Sequence, residues 1–242
     1  MSATPSHNLI IPGQALDFYL SQGYYRMHQD LFTCRFLPIE GGVYTVHWLR
    51  LVLTDVHYGP EQRRLLRLNG RFSVALRPFQ LTRELEELYA AYRRTITFDA
   101  PPTVESFLLA GAKHNAFDTS VIEVRDGTQL IAAGIFDRGI RSLAGIMNFY
   151  HPDYRRHSLG KYLMLLKIEH ARRQQCTYYY PGYVVHDYPK FDYKLFACPA
   201  ATEVFDCLTG RWRPFAWDDV ARQSAGLLAD WPGEEPDGAA AD

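Results

Sequence analysis

The sequence is poor in the residues that a metal centre, a disulfide framework or a membrane span requires. Its four cysteines, Cys34, Cys176, Cys198 and Cys207, lie far apart and form no Cys-x-x-Cys pair. That spacing argues against a zinc or iron–sulfur site and fits ordinary buried thiols in a reducing cytoplasm. The histidines are scattered without a His-x-x-x-His pairing, so no metal ligand set is expected. No apolar run approaches the ~20 residues of a membrane helix. Residues 1–8 show no basic start followed by an apolar stretch, so no secretory signal is expected. No Ser-His-Asp or Cys-His signature of a dedicated nucleophile is present, and no internal repeat is found.

What the chain does contain is apolar residue in quantity. With 242 residues, 47% of them hydrophobic, it is long enough for one large domain or two small ones around a real core. The net charge of −1 conceals an asymmetry: from Ala225 onward there are five acidic residues and no Lys or Arg. Without those five the remainder carries about +4, which permits contact with phosphates without requiring it. The acidic, Gly-, Ala- and Pro-rich end, within residues 223–242, is expected to be disordered.

The pattern divides the chain into a smaller N-terminal lobe over residues 1–75 and an α/β unit over 76–222. In the first lobe, residues 15–22 suit a short helix, 43–52 a strand, and 60–68 a helix with Pro60 in its first turn and Asn69-Gly70 at its end. In the second, residues 82–94 form an amphipathic helix with Leu85, Leu88, Tyr89 and Tyr92 on one face. Another helix begins near Thr103. Strands over 119–125, 129–137 and 140–150, joined by tight turns, make an antiparallel meander. A helix follows to about Gln174, then a tyrosine-rich strand over 177–185. Periodicity alone predicts α/β with a mixed sheet. The element order resembles that of acetyltransferase-type (GNAT-like) folds, with the strands at 140–150 and 177–185 as neighbours that splay apart near residues 155–160.

The junction from Tyr150 to Gly160 is the most informative local feature. The first amides of a helix are unpaired and the dipole is positive there, so such a turn binds anions. Arg155-x-x-Ser158-x-Gly160 is similar to the pyrophosphate-binding turn of acetyltransferases, with Ser in place of the first Gly. An ordinary helix start capped by Ser158 is the alternative.

A wider string narrows the choice. Asn148-Phe-Tyr-His-Pro-Asp-Tyr-Arg-Arg-His-Ser-Leu-Gly-Lys-Tyr162 resembles a segment of arginyl-tRNA–protein transferases, and Tyr178-Tyr-Tyr-Pro-Gly-Tyr-Val-Val-His-Asp-Tyr-Pro-Lys-Phe-Asp-Tyr-Lys194 resembles the segment that follows it. Gly23-Tyr-Tyr-Arg26 and Gly59-Pro-Glu-Gln-Arg-Arg-Leu-Leu-Arg-Leu-Asn69 are similar to elements of that family's first lobe. The resemblance spans residues 14–196 and extends to the bacterial leucyl-tRNA–protein transferases. The chain departs from the family in lacking the N-terminal cysteine cluster; only Cys34 lies in that region.

The resemblance implies an enzyme that moves Arg or Leu from aminoacyl-tRNA to protein N-termini, acidic ones in particular. It implies no cofactor, no metal and no membrane partner. An acetyl-CoA-dependent N-acetyltransferase, or a non-catalytic member of the family, are the alternatives. The activated ester needs positioning, amine deprotonation and oxyanion stabilisation rather than a nucleophile. Asp153, His157 and Tyr183 are the catalytic candidates, although Asp153 equally suits a Pro-Asp turn. Arg155, Arg156, Ser158, Leu159, Gly160, Lys190 and Lys194 are candidates for the donor's phosphates; the two lysines equally suit a solvated loop. Tyr178, Tyr180 and Tyr183 suit either stacking on a terminal adenine or core packing. Arg26, Arg63 and Arg64 are candidates for an acceptor carboxylate.

Overall fold

A computed structural model describes residues 10–39, 41–97 and 100–231. In chain order the strands are β1 (Tyr25–Met27), β2 (Asp30–Phe32), β3 (Phe36–Ile39), β4 (Gly42–Val52), β5 (Ser73–Pro78), β6 (Thr119–Asp126), β7 (Gln129–Arg138), β8 (Ser142–Tyr150), β9 (Tyr178–Val185), β10 (Thr202–Asp206) and β11 (Arg211–Pro214). The helices are α1 (Gly13–Ser21), α2 (Pro60–Asn69), α3 (Arg83–Arg93), α4 (Val104–Leu108), α5 (Leu159–Arg173) and α6 (Trp217–Ala229). Among the described residues no helix is long and apolar enough to cross a membrane.

Side chains close the starts of two helices, α3 and α4. The Thr82 hydroxyl accepts from the Leu85 amide at the start of α3, whose acidic first turn and basic last turn oppose the helix dipole. A reciprocal Thr103–Ser106 capping box starts α4. α5 begins differently: Ser158 is left-handed (φ 48°) and its side chain caps nothing. The capping alternative for Ser158 is therefore excluded, and the first amides of α5 remain open.

A nine-stranded sheet runs β11-β10-β4-β9-β8-β7-β6-β5, with β3 paired to the first part of β4. All neighbours are antiparallel except β8 and β9. Alternating strand residues supply two cores. Ile122, Val124, Ala132, Phe136, Leu143 and Tyr179 pack with Leu163 and Ile168 of α5 and Leu65 of α2. Val121, Ala133, Ile135 and Phe149 pack with Leu85, Leu88 and Tyr89 of α3. The layout is the expected acetyltransferase-like mixed α/β fold: an antiparallel meander, a turn, a helix and a parallel strand.

Two expected boundaries move. The one at residue 75 does not divide the structure. β4, from the supposed first lobe, sits between β9 and β10, and β5 crosses the boundary. An eleven-residue strand with buried positions along most of its length needs neighbours on both edges, and the second half of the chain provides them. The tail expected from residue 223 does not start there either: α6 continues to Ala229, with Ser224 and Leu227 buried on its inner face. Residues 232–242 lie outside the described part of the chain.

Candidate active site

β8 and β9 are in register only over Ser142–Ala144 and Tyr178–Tyr180. Beyond these residues they part, in the expected direction toward residues 155–160. The Tyr25 hydroxyl sits at the fork and donates to the carbonyls of Gly145 and Tyr180, a bifurcated bond 3.0 Å long on the Tyr180 side. Two features of the strands force the divergence. Ile146 is an extra residue in β8, bulged against β7. In β9, Gly182 is at φ +102°, a conformation other residues rarely adopt, and it resets the alternation so that Tyr183 joins Tyr180 in the cluster around Trp48.

Two cavities occupy the fork. The larger, of about 1030 Å³, is lined on one side by Ile146, Asn148 and Tyr150 of β8 and on the other by Tyr183, with Lys190, Phe191 and Tyr193 beyond it; Arg155, Ser158, Gly160 and Lys161 form its helix-start edge. The smaller, of about 310 Å³, is mainly apolar and aromatic, with Phe32, Trp48, Phe107, Met164 and Tyr183 among its lining residues. No described residue lining either cavity is an Asp or Glu. Asn148 lines both, and its buried Oδ1 has no hydrogen-bond partner. An acceptor so placed is costly unless a bound group donates to it.

The predicted residues divide. Arg155, Ser158, Gly160, Lys190 and Tyr183 line the large cavity together. Leu159, adjacent in sequence, is fully buried in the core, so only its backbone belongs to the helix start. Burial raises the Tyr183 hydroxyl to about 12, so it remains a proton donor. Its ring packs edge-on against Trp48 and tilts over Phe191. Lys194 lines the small cavity, but not as a loop cation: it is 8% exposed, donates to the Tyr183 carbonyl at 2.7 Å and lies among the rings of Tyr183, Phe191 and Tyr193. Burial lowers its pKa to about 7. Tyr178 and Tyr180 pack in the core around Trp48, the second of the two uses open to them.

Other candidates are corrected. His157 is buried on the far side of the turn, edge-on to Phe72, and lines neither cavity. Burial, then Arg71 and Arg156, lowers its pKa, and both guanidiniums point at its Nε2 (3.4 and 3.3 Å). Arg156 is thereby turned away from the cavity as well. The Asp153 carboxylate is exposed 3.7 Å from His151 and lines neither cavity; it decorates the turn. Arg26 lines the small cavity but is 4% exposed and fully engaged: it pairs with Asp137 at 2.9 Å and also donates to Thr119, Asn115 and the carbonyls of His28 and Leu108. With its N–H groups spent, it has none for an acceptor carboxylate. Arg63 and Arg64 are exposed on α2 and line neither cavity.

Sequence pattern assigns no role to Asn148, Lys161 or Tyr25, yet the first two line the large cavity and the third ties the strands together at the base of the fork. A lone amide inside the apolar run Ile146–Phe149 is a visible signal for Asn148; nothing local marks Tyr25, whose partners are 120 and 155 residues away. Among the described residues no three His, Cys, Asp or Glu side chains are grouped to hold a metal. Cys34 lies beside Trp48, and burial raises its thiol to about 11.

Residues 84–201, which include both sides of the fork and the α5 start, match the family model for the C-terminal part of arginine-tRNA-protein transferase. The chain is 28% identical to an aspartate/glutamate leucyltransferase of Granulibacter bethesdensis, over 83% of this chain and 73% of that one. It is 33% identical to a protein of the same name from Hahella chejuensis, over 60% of this chain and 63% of that one. Among solved structures it is similar, at 12% identity and a TM-score of 0.48, to a domain described as the C-terminal part of a lysylphosphatidylglycerol synthetase from Agrobacterium fabrum, covering 76% of this chain and 66% of that one. Over residues 84–201 and against its curated relatives, the chain is similar to the bacterial aminoacyl-tRNA–protein transferases.

Proposed function

We propose that the protein transfers leucine from leucyl-tRNA to the α-amine of proteins that begin with Asp or Glu. The observation that carries this is the fork between β8 and β9, which opens onto a helix start with uncapped amides and the cations Arg155, Lys161 and Lys190. Such an edge suits the terminal phosphates of a tRNA. The apolar small cavity suits the donor's side chain. A guanidinium would find no carboxylate among its described lining residues, which favours leucine over arginine. The relatives' name supplies the acidic acceptor.

In the proposed step the acceptor nitrogen attacks the ester carbonyl and forms the new C–N bond. The C–O bond to the terminal ribose breaks, and the ribose oxygen leaves as a hydroxyl after taking a proton. The acceptor amine, with pKa about 8, is already partly neutral at pH 7 to 8. The ester brings its own activation, so the step draws on no cofactor. Asn148 and the protonated Tyr183, on opposite sides of the large cavity, are the polar side chains offered to the reacting ester. Mixing the purified protein with tRNA charged separately with leucine or arginine, and with peptides beginning with Asp or Asn, tests this by mass spectrometry. Leucine addition to the Asp peptide is expected; no mass gain from either donor overturns it.

A further inference from the structure

α2 carries Arg63, Arg64 and Arg67, all exposed and with no side-chain partner among the described residues. An arginine-rich helix face is ordinarily just a solvated surface. Here its position distinguishes it. Leu65 anchors α2 in the α5 core, and Asn69 Nδ2 donates to the His157 carbonyl at 3.0 Å. At its other end Gln62 donates to the Phe196 carbonyl at 2.5 Å, and Glu61 lies 4.0 Å from Lys161, which lines the large cavity. Arg71 and Arg156 meet over His157 and bridge α2 to the turn that carries Arg155. Basic residues therefore extend from the cavity's edge, at Arg155 and Lys161, through Arg156 and Arg71 to α2. Residues 60–71 and 151–161 hold seven Lys or Arg against two Asp or Glu, in a chain of net charge −1.

We propose that this strip is the docking track for the double-helical acceptor stem of the donor tRNA, with the terminal phosphates at the α5 start and the stem backbone along Arg71, Arg156 and α2. The proposal rests on the aminoacyl-tRNA reading of the fork. Ten helical residues span about 15 Å, enough to face several phosphates of a duplex. Arginine suits this task because its planar fork matches phosphate oxygens.

The test uses the full chain, uncharged tRNA as the binding probe, and the variant Arg63→Gln/Arg64→Gln/Arg67→Gln, whose thermal midpoint should match wild type because all three side chains are exposed. By fluorescence anisotropy the variant should bind tRNA at least tenfold more weakly at low salt. Its log–log salt dependence should be shallower by roughly 2–3, about 0.9 for each phosphate that is no longer neutralised. In transfer assays the KM for charged tRNA should rise with kcat held, while an aminoacylated trinucleotide lacking the stem should react equally with both proteins. Unchanged affinity and salt slope overturn the proposal, as does a rise confined to the KM of an acidic protein acceptor. Binding that depends on α2 without any aminoacyl transfer supports the docking track and overturns the transfer function; transfer with binding independent of α2 does the reverse.

Discussion

The paired base of β8 and β9 and the open fork above it hold polar groups of the same kinds and use them in opposite ways. Around the base, the cations and the Tyr25 hydroxyl are tied to protein. Arg26 is spent on Asp137 and its neighbours, and the Tyr25 hydroxyl on two strand carbonyls. Lys167, fully buried on α5, donates to the Ile135 and Met147 carbonyls that flank the β8 bulge. In the fork, Asn148 Oδ1 has no partner, and Lys194 makes one hydrogen bond amid aromatic rings at a cavity wall. Satisfied groups rigidify a fold, whereas polar groups left with few partners at a cavity wall are candidates for contact with a ligand. Substitutions at the base should therefore appear in stability, and substitutions in the fork in activity.

The largest effect is expected at the base. Arg26→Met leaves Asp137 buried without its countercharge and should lower the unfolding free energy by about 3–5 kcal/mol, read by urea denaturation. A variant that keeps its stability yet loses preference for Asp-initiated peptides would reverse the assignment of Arg26 from structural tie to recognition.

Next comes the edge of the fork. A Cβ on Gly160 would meet only Tyr150, at an ordinary 3.7 Å. Gly160→Val should therefore change stability by less than ~1 kcal/mol. Its methyl groups, facing the cavity, should reduce transfer at least tenfold. Wild-type rates in this variant would count against the α5 start as the donor site.

The smallest and finest contrast lies between the two buried lysines. Burial lowers both Lys167 and Lys194 to about 7, from 10.5 in the unfolded chain. Between those values the unfolded state binds more protons, so stability rises with pH from about 7 to 10, by at most ~1.4 kcal/mol per unit for each lysine. Below pH 7 the cost of the buried ammonium is present in full. Lys167→Met and Lys194→Met should each flatten the rise of the urea midpoint between pH 7 and 9.5. Only Lys194→Met should also change the transfer rate. Equal effects of the two on activity would erase the distinction between base and fork.

Local pattern was enough to place α3, the β6–β8 meander, α5 and β9, because helix and strand periods and turn residues act over a few neighbours. The helix start at Ser158–Gly160 and the tyrosine strand beside it were legible too, but that Ser158 does not cap this helix was not. What the string Asn148–Gly160 could not reveal is direction. Arg155 and Arg156 are adjacent, yet one lines the cavity and the other turns to His157. That depends on Phe72 and Arg71, which arrive from a distant part of the chain. Likewise nothing near Arg26 announces Asp137, 111 residues on, and nothing near β4 announces that β9 and β10 will flank it. A residue's period and chemistry are set by its own sequence, but its partner is set by which strands pair. Pairing is decided by burial summed over the whole sheet, so the division between structural and functional arginines, lysines and histidines emerges only in the folded protein.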